Sequence, residues 1–151
     1  MQAILAPVPC IHLFHALETC ATYGRVAFGS DAASFFEDDK GKSIFAVGTP
    51  VLIAASSPKF GHRELYKSGY ATFRAEFAQW VAAPQGKHSD PRVRPPSTAD
   101  DSSFRGFWEV TRLHVLSDPI PRKHLFAYGT DHPIMKLPPR GPIKVNCHDQ
   151  N

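Results

Sequence analysis

The chain has 151 residues, 42% hydrophobic and 21% charged, the balance of a single folded domain and not of a disordered chain. Lys and Arg number 17 against 14 Asp and Glu, a formal net charge of +3 that permits a nucleic-acid partner without requiring one. With 14 prolines and 10 glycines, the composition argues against a helical bundle and for short strands joined by turns.

No apolar run reaches the roughly 18 residues that a membrane-spanning helix needs, so no membrane partner is expected. Residues 1–20 are apolar, but they lack a basic start and are interrupted by Pro7, Pro9, His12 and His15, which argues against a signal peptide. Cys10, Cys20 and Cys147 are odd in number and widely spaced, and read as reduced thiols of a cytoplasmic protein. The sequence holds no GxxxxGK[ST], GxGxxG, HExxH, GxSxG or CxxC motif. No cofactor is implied.

Residues 2–8 read as a first strand. From 10 to 23, apolar residues recur with helical periodicity, and Gly24 is a natural stop. Residues 25–28 and 32–36 read as short extended pieces around a turn at 29–31. The charged run 37–42 is a turn, and 43–47 extends briefly. Val51 to Ala55 is wholly apolar, the pattern of a buried central strand. Residues 56–69 form a polar loop.

Residues 70–81 alternate. Ala71, Phe73, Ala75 and Phe77 share one face, and Thr72, Arg74 and Glu76 share the other, with Trp80 on the polar side by parity. Residues 84–103 are rich in proline, with Val93 the one large aliphatic side chain, and read as a loop insertion outside the core. β character resumes over 104–116 and is broken at Pro119-Ile120-Pro121. Residues 122–126 suit one helical turn. The Pro-rich tail 132–151 can supply at most one short edge strand. The order predicts an α+β domain: a small mixed or antiparallel β-barrel with one or two flanking helices.

Three segments carry a family likeness: AILAPVPCIHLFHAL at 3–17, VGTPVLIAASS at 47–57, and FWEVTRLHVLSDPIPRKHLF at 107–126. Together they resemble the PUA-like superfamily, which includes EVE and ASCH domains. The chain lacks the Tyr-Trp opening of EVE domains and the Gly-x-Lys-x-x-Glu-x-Arg pattern of ASCH domains, so the likeness is to the superfamily. It implies a pseudobarrel that binds RNA, or DNA carrying a modified or flipped base. It also makes Ser56, at the end of the central strand, a candidate for hydrogen-bonding such a base.

The residues add their own candidates. Lys59, His62, Arg63 and Lys67 form a basic loop suited to phosphate attraction. Trp80 and Trp108 offer stacking faces, or else anchor the core. Arg74 lies on the polar strand face, and Arg92 and Arg94 sit on the Pro-rich segment, which would act as a flap.

Two alternatives compete. A small ASCH-type hydrolase would use Thr72, Glu76 and Lys59 or Lys67, yet Thr72 and Glu76 lie about 13 Å apart along an extended strand. An accessory domain would dock a protein partner through the PPRGP stretch at 138–142. Cys10, His12, His15 and Cys20 fit no standard zinc spacing, and no metal is expected.

Overall fold

The computed structural model describes residues 1–98 and 103–147. Seven strands form one mixed sheet in the order β2-β5-β4-β3-β1-β7-β6. They are β1 (Gln2–Pro9), β2 (Val26–Ser30), β3 (Pro50–Ser56), β4 (Tyr70–Ala82), β5 (Gly106–Pro121), β6 (Leu125–Ala127) and β7 (Ile143–Cys147). The pair β1–β3 is parallel and every other pairing is antiparallel. Two helices join them, α1 (Cys10–Tyr23) and α2 (Ala33–Phe36). The α+β class stands. The sheet does not close into a barrel: β2 and β6 are its edges. No described helix is long and apolar enough to cross a membrane.

The apolar run of β3 is explained by burial on both faces. Val51, Ile53 and Ala55 join the large core, and Leu52 and Ala54 join a second cluster on the other face. α1 covers the first face with Cys10, Leu13, Ala16 and Cys20. It ends where Gly24 turns left-handed at φ 79° and donates its N–H to the Cys20 carbonyl at 2.8 Å.

Residues 32–36 are not extended. Ser30 Oγ accepts the Ala32 N–H at 3.0 Å, and the short helix α2 drives Phe36 into the core. Phe36 is fully buried and stacks on Trp80 at 4.7 Å and 4°. Burying a ring of this size contributes about 1.5–3 kcal/mol, more than the weak propensity of so short a helix could supply.

Register shifts interrupt the β4–β5 pairing at Ala71/Phe73, Arg74/Glu76 and Phe77/Gln79, and the last of them places its extra residue on β4. A bulge adds a residue and flips the face of everything beyond it. Ala71 packs into the second cluster while Phe73, Ala75 and Phe77 face the first. Trp80 is turned onto the Phe77 side, where it is 8% exposed, and not onto the Arg74 side that parity predicts.

β5 runs through Pro119 and Pro121, pairing Ile120 with Ala71 and Pro121 with Tyr70. β2 pairs only with 106–110 of it, so one edge of the later half carries no partner strand and tolerates proline. The tail contributes β7, which lies between β1 and β6 and is not an edge strand. Residues 122–124 form a 3-10 turn before β6.

The Pro-rich segment is also corrected. Over the described residues 84–98 it is a strap across β2 and β5, and Val93, at 2% exposure, packs with Ala27 and Phe107. Polar contacts along its length help to hold it. The buried Glu109 accepts from His88 Nε2 at 2.7 Å, Arg94 donates to the Ala27 carbonyl at 2.9 Å, and Arg25 pairs with Asp90 at 3.5 Å.

Candidate functional site

Strands β1 and β2 stand apart in the sheet, with β5, β4 and β3 between them. Yet Ala6, Pro7, Val8 and Pro9 of β1 and Phe28, Gly29 and Ser30 of β2 line one cavity of about 340 Å³. The first turn of α1 adds His12, the strap adds Arg94 and Thr98, and β5 with its approach adds Phe104 and Trp108. The tail closes a side with Arg140, Gly141 and Pro142.

The aromatic walls are fixed by packing. Phe28 lies against Trp108 at 4.6 Å and 36°. The Phe104 ring rests on bare backbone at Gly29, where a Cβ would sit 2.3 Å from the ring. A glycine in a strand often marks such a close approach.

His12 Nδ1 is 2.8 Å from Ser97 Oγ, which itself lies 3.4 Å from the Ile11 carbonyl. The Ser97 hydroxyl donates to that carbonyl, so His12 Nδ1–H donates to Ser97 and Nε2 remains an acceptor. Burial holds the His12 pKa below its ordinary value, and the nearby Arg94 and His15 lower it further. The imidazole is neutral at pH 7.

Arg94 is half-buried, with its guanidinium carbon 4.8 Å from the Phe107 ring and 5.6 Å from Phe104. Burial lowers its pKa, but an arginine stays charged in any folded protein. Among the described residues no carboxylate pairs with it or with the exposed Arg140. The cavity thus joins flat apolar walls to two cations without a carboxylate partner among the described residues, and to a neutral imidazole. A planar ligand with an anionic or acceptor-rich edge suits that set.

Beneath the strap, Glu109 is 1% exposed. Its Oε1 accepts from Gln79 Nε2 at 3.2 Å and lies 3.3 Å from Arg25 Nε. The arginine contact is an ion pair only, since Arg25 Nε makes no hydrogen bond. The Asp90 N–H donates to His88 Nδ1 at 2.9 Å, so the His88 proton sits on Nε2 and is given to Glu109. This buried chemistry holds the strap and does not face the cavity.

Of the residues singled out in the sequence, Arg94 and Trp108 meet at the cavity. Trp80 does not. Phe36 covers one side of its ring, the Gly106 backbone presses on it, and its indole N–H donates to Glu37 Oε2 at 2.7 Å. Its faces are closed to a base, and it anchors the core. Ser56 ends β3 opposite Pro9, itself a cavity wall.

Lys59, His62, Arg63 and Lys67 lie on the loop beyond, in and around the 3-10 turns Pro58–Phe60 and Arg63–Leu65, which pack against α1. Arg74 is half-buried between Leu52 and His114 in the sheet. Arg92 is exposed and bonded to Asp90 at 3.0 Å, with Tyr23 5.7 Å away. The PPRGP stretch is laid against the fold, with Pro139 buried and Arg140 to Pro142 at the cavity.

The structure does not assemble the other constellations. Thr72 is buried and donates its hydroxyl to the Leu65 carbonyl at 3.0 Å, while Glu76 lies 3.8 Å from Arg112. Cys10 and Cys20 point into the core, and His12 turns to Ser97. Among the described residues no group of His, Cys, Asp and Glu is placed to hold a metal.

Sequence reasoning missed Phe28, Phe104, Arg140 and the role of His12. Two glycines in β-rich aromatic stretches, Gly29 after Phe28 and Gly106 before Phe107, were the available signal. No protein-family model, curated protein or solved structure matches the chain.

Proposed function

We propose that the chain is a nucleic-acid-binding domain that takes an unstacked nucleotide, of RNA or of DNA with a modified base, into the cavity between β1 and β2. The observation that carries this reading is the pairing of ring walls with two arginines that no carboxylate among the described residues pairs: Phe28, Phe104 and Trp108 beside Arg94 and Arg140 at one cavity. A base is flat, and stacks on aromatic or guanidinium planes. Arg94 offers a planar set of donors for a base edge or phosphate, and His12 Nε2 accepts from an amino group. Pro7, Pro9 and Pro142 keep the remaining wall stiff.

The same reading makes the domain PUA-like. Facing β1 and β2 across the cavity would then be a barrel seam filled by ligand and not by hydrogen bonds. Lys59, Arg63 and Lys67 would attract the phosphate backbone next to Ser56. A flipped base costs stacking energy, and a base already unpaired or modified costs least, which favours single-stranded or modified targets.

Fluorescence polarisation against single- and double-stranded RNA and DNA, unmodified or carrying methylated, hydroxymethylated or acetylated cytosine, tests this at two salt concentrations. Binding should favour one modified or single-stranded probe and weaken steeply with salt. Arg140→Ala should cost about tenfold with an unchanged melting temperature, because Arg140 is exposed at the cavity rim. A flat result across the panel refutes the proposal.

A further inference from the structure

A second surface lies across the first turns of α1 from the cavity. Phe60 is 66% exposed on its 3-10 turn, and Phe14 is 44% exposed on α1. Open aromatic faces are what base stacking requires. His62 stacks on Phe14 at 3.7 Å and 11°, so its loop is fastened to the helix by ring contact.

Cations interleave with these rings. Lys59 Nζ lies 5.2 Å from the Phe60 centroid, and Lys67 Nζ lies 4.0 Å from that of Tyr70. Arg63 is exposed beside them. The loop carries one carboxylate, the exposed Glu64, whose Oε1 lies 3.4 Å from His62 Nδ1. Among the described residues Lys59, Arg63 and Lys67 have no acidic partner.

The loop backbone is constrained. Ser57 and His62 both sit at left-handed φ, 53° and 54°, each directly before a 3-10 turn. Non-glycine residues seldom occupy that region, and they cluster where a loop must present its side chains in a fixed pose. The result is a preset aromatic and cationic ridge.

We infer that this ridge is a track for single-stranded nucleic acid, binding the nucleotides that flank the one held in the cavity. The inference rests on the nucleotide reading of the cavity. His12 faces the cavity, and Phe14, two residues on, stands about 200° around the helix, on its other flank. A strand leaving the cavity would cross roughly one helix width, about 10 Å, to reach Phe14 and Phe60. Exposed rings would stack flanking bases, and Lys59, Arg63 and Lys67 would take their phosphates.

The test compares a nucleoside 5′-monophosphate with single-stranded DNA and RNA oligomers of twelve residues carrying the same base. Phe60→Ala and Phe14→Ala should each weaken the oligomer about tenfold, within the range of base stacking on an aromatic ring, and leave the monophosphate affinity unchanged. Phe60 is largely in water, so its variant should fold normally. Lys59→Glu with Arg63→Glu should flatten the salt dependence of oligomer binding alone.

Oligomer affinity unaltered by both ring variants overturns the track and leaves the cavity reading intact. Inorganic polyphosphate competing as well as the oligomer also overturns it, because the surface would then be a charge patch only. An oligomer that binds and is lost in Phe60→Ala, with no monophosphate binding, removes the cavity reading and with it the track as a path for flanking nucleotides. An oligomer that does not bind removes both.

Discussion

His88→Ala tests whether the Pro-rich strap is part of the folded body or a dispensable flap. The His88 side chain is 3% exposed and gives Glu109 Oε2 a hydrogen bond at 2.7 Å. Truncation leaves a carboxylate oxygen in the interior without its donor. Breaking a buried pair by removing one partner costs about 3–5 kcal/mol. Gln79 and Arg25 remain on the other oxygen, so the expected loss is at the low end, about 3 kcal/mol.

For a domain of this size each kcal/mol lowers the melting temperature by about 2–4 °C, so calorimetry should show a fall of about 6–12 °C. Limited proteolysis should find new cleavage within residues 84–98. The paired replacement His88→Leu with Glu109→Leu should recover part of the loss, because it takes the carboxylate out of the interior while Arg25 keeps Asp90. A His88→Ala protein that melts within about 2 °C of wild type, with the strap still protected, would refute the idea that this pair fastens it.

Trp80→Ala should cost about 3–5 kcal/mol in chemical denaturation, because it empties the stack on Phe36 and strands Glu37; an unchanged midpoint would contradict its place in the core. Gly29→Ala should force Phe104 off the β2 backbone, lowering stability by about 1–3 kcal/mol and altering oligonucleotide affinity, both read from one titration series. His12, whose pKa is held below the ordinary 6.5, binds its proton more readily in the unfolded chain. Its contribution to stability is therefore full above pH 6.5 and is lost as the pH falls below that value, and His12→Gln should flatten the melting temperature between pH 7 and pH 5.

How far the sequence carried the fold depends on the range of the interaction concerned. α1 and the β3 run were legible because their periodicity and composition are local, and Gly24 marked the helix end at the right residue. The face of Trp80 was not, because a bulge is a property of two strands in register and leaves no mark in one of them. Pro119 and Pro121 misled because their tolerance in β5 depends on β2 being too short to pair there. The cavity was half legible. Arg94 and Trp108 could be picked out by residue type, but Phe28, Phe104 and Arg140 join them only because the sheet brings β1 and β2 to one space.

The strap joins the stability of the fold to the site. β2 is an edge strand, and an uncovered edge is a template for pairing with another chain. Arg94 covers it by donating to the Ala27 carbonyl, and the same side chain forms a cavity wall with Thr98 beside it. Glu109, a buried carboxylate costly in isolation, makes sense as the anchor of that arrangement: its bonds to His88 fix where the strap begins its crossing. A strap released from Glu109 would therefore uncover the β2 edge and dismantle the arginine wall together. A ligand that needs this wall binds only the fastened form, and so stabilises it by mass action. Saturating oligonucleotide should then restore part of the melting temperature lost in His88→Ala, and should restore less of the loss in a His88→Ala, Arg94→Ala double variant.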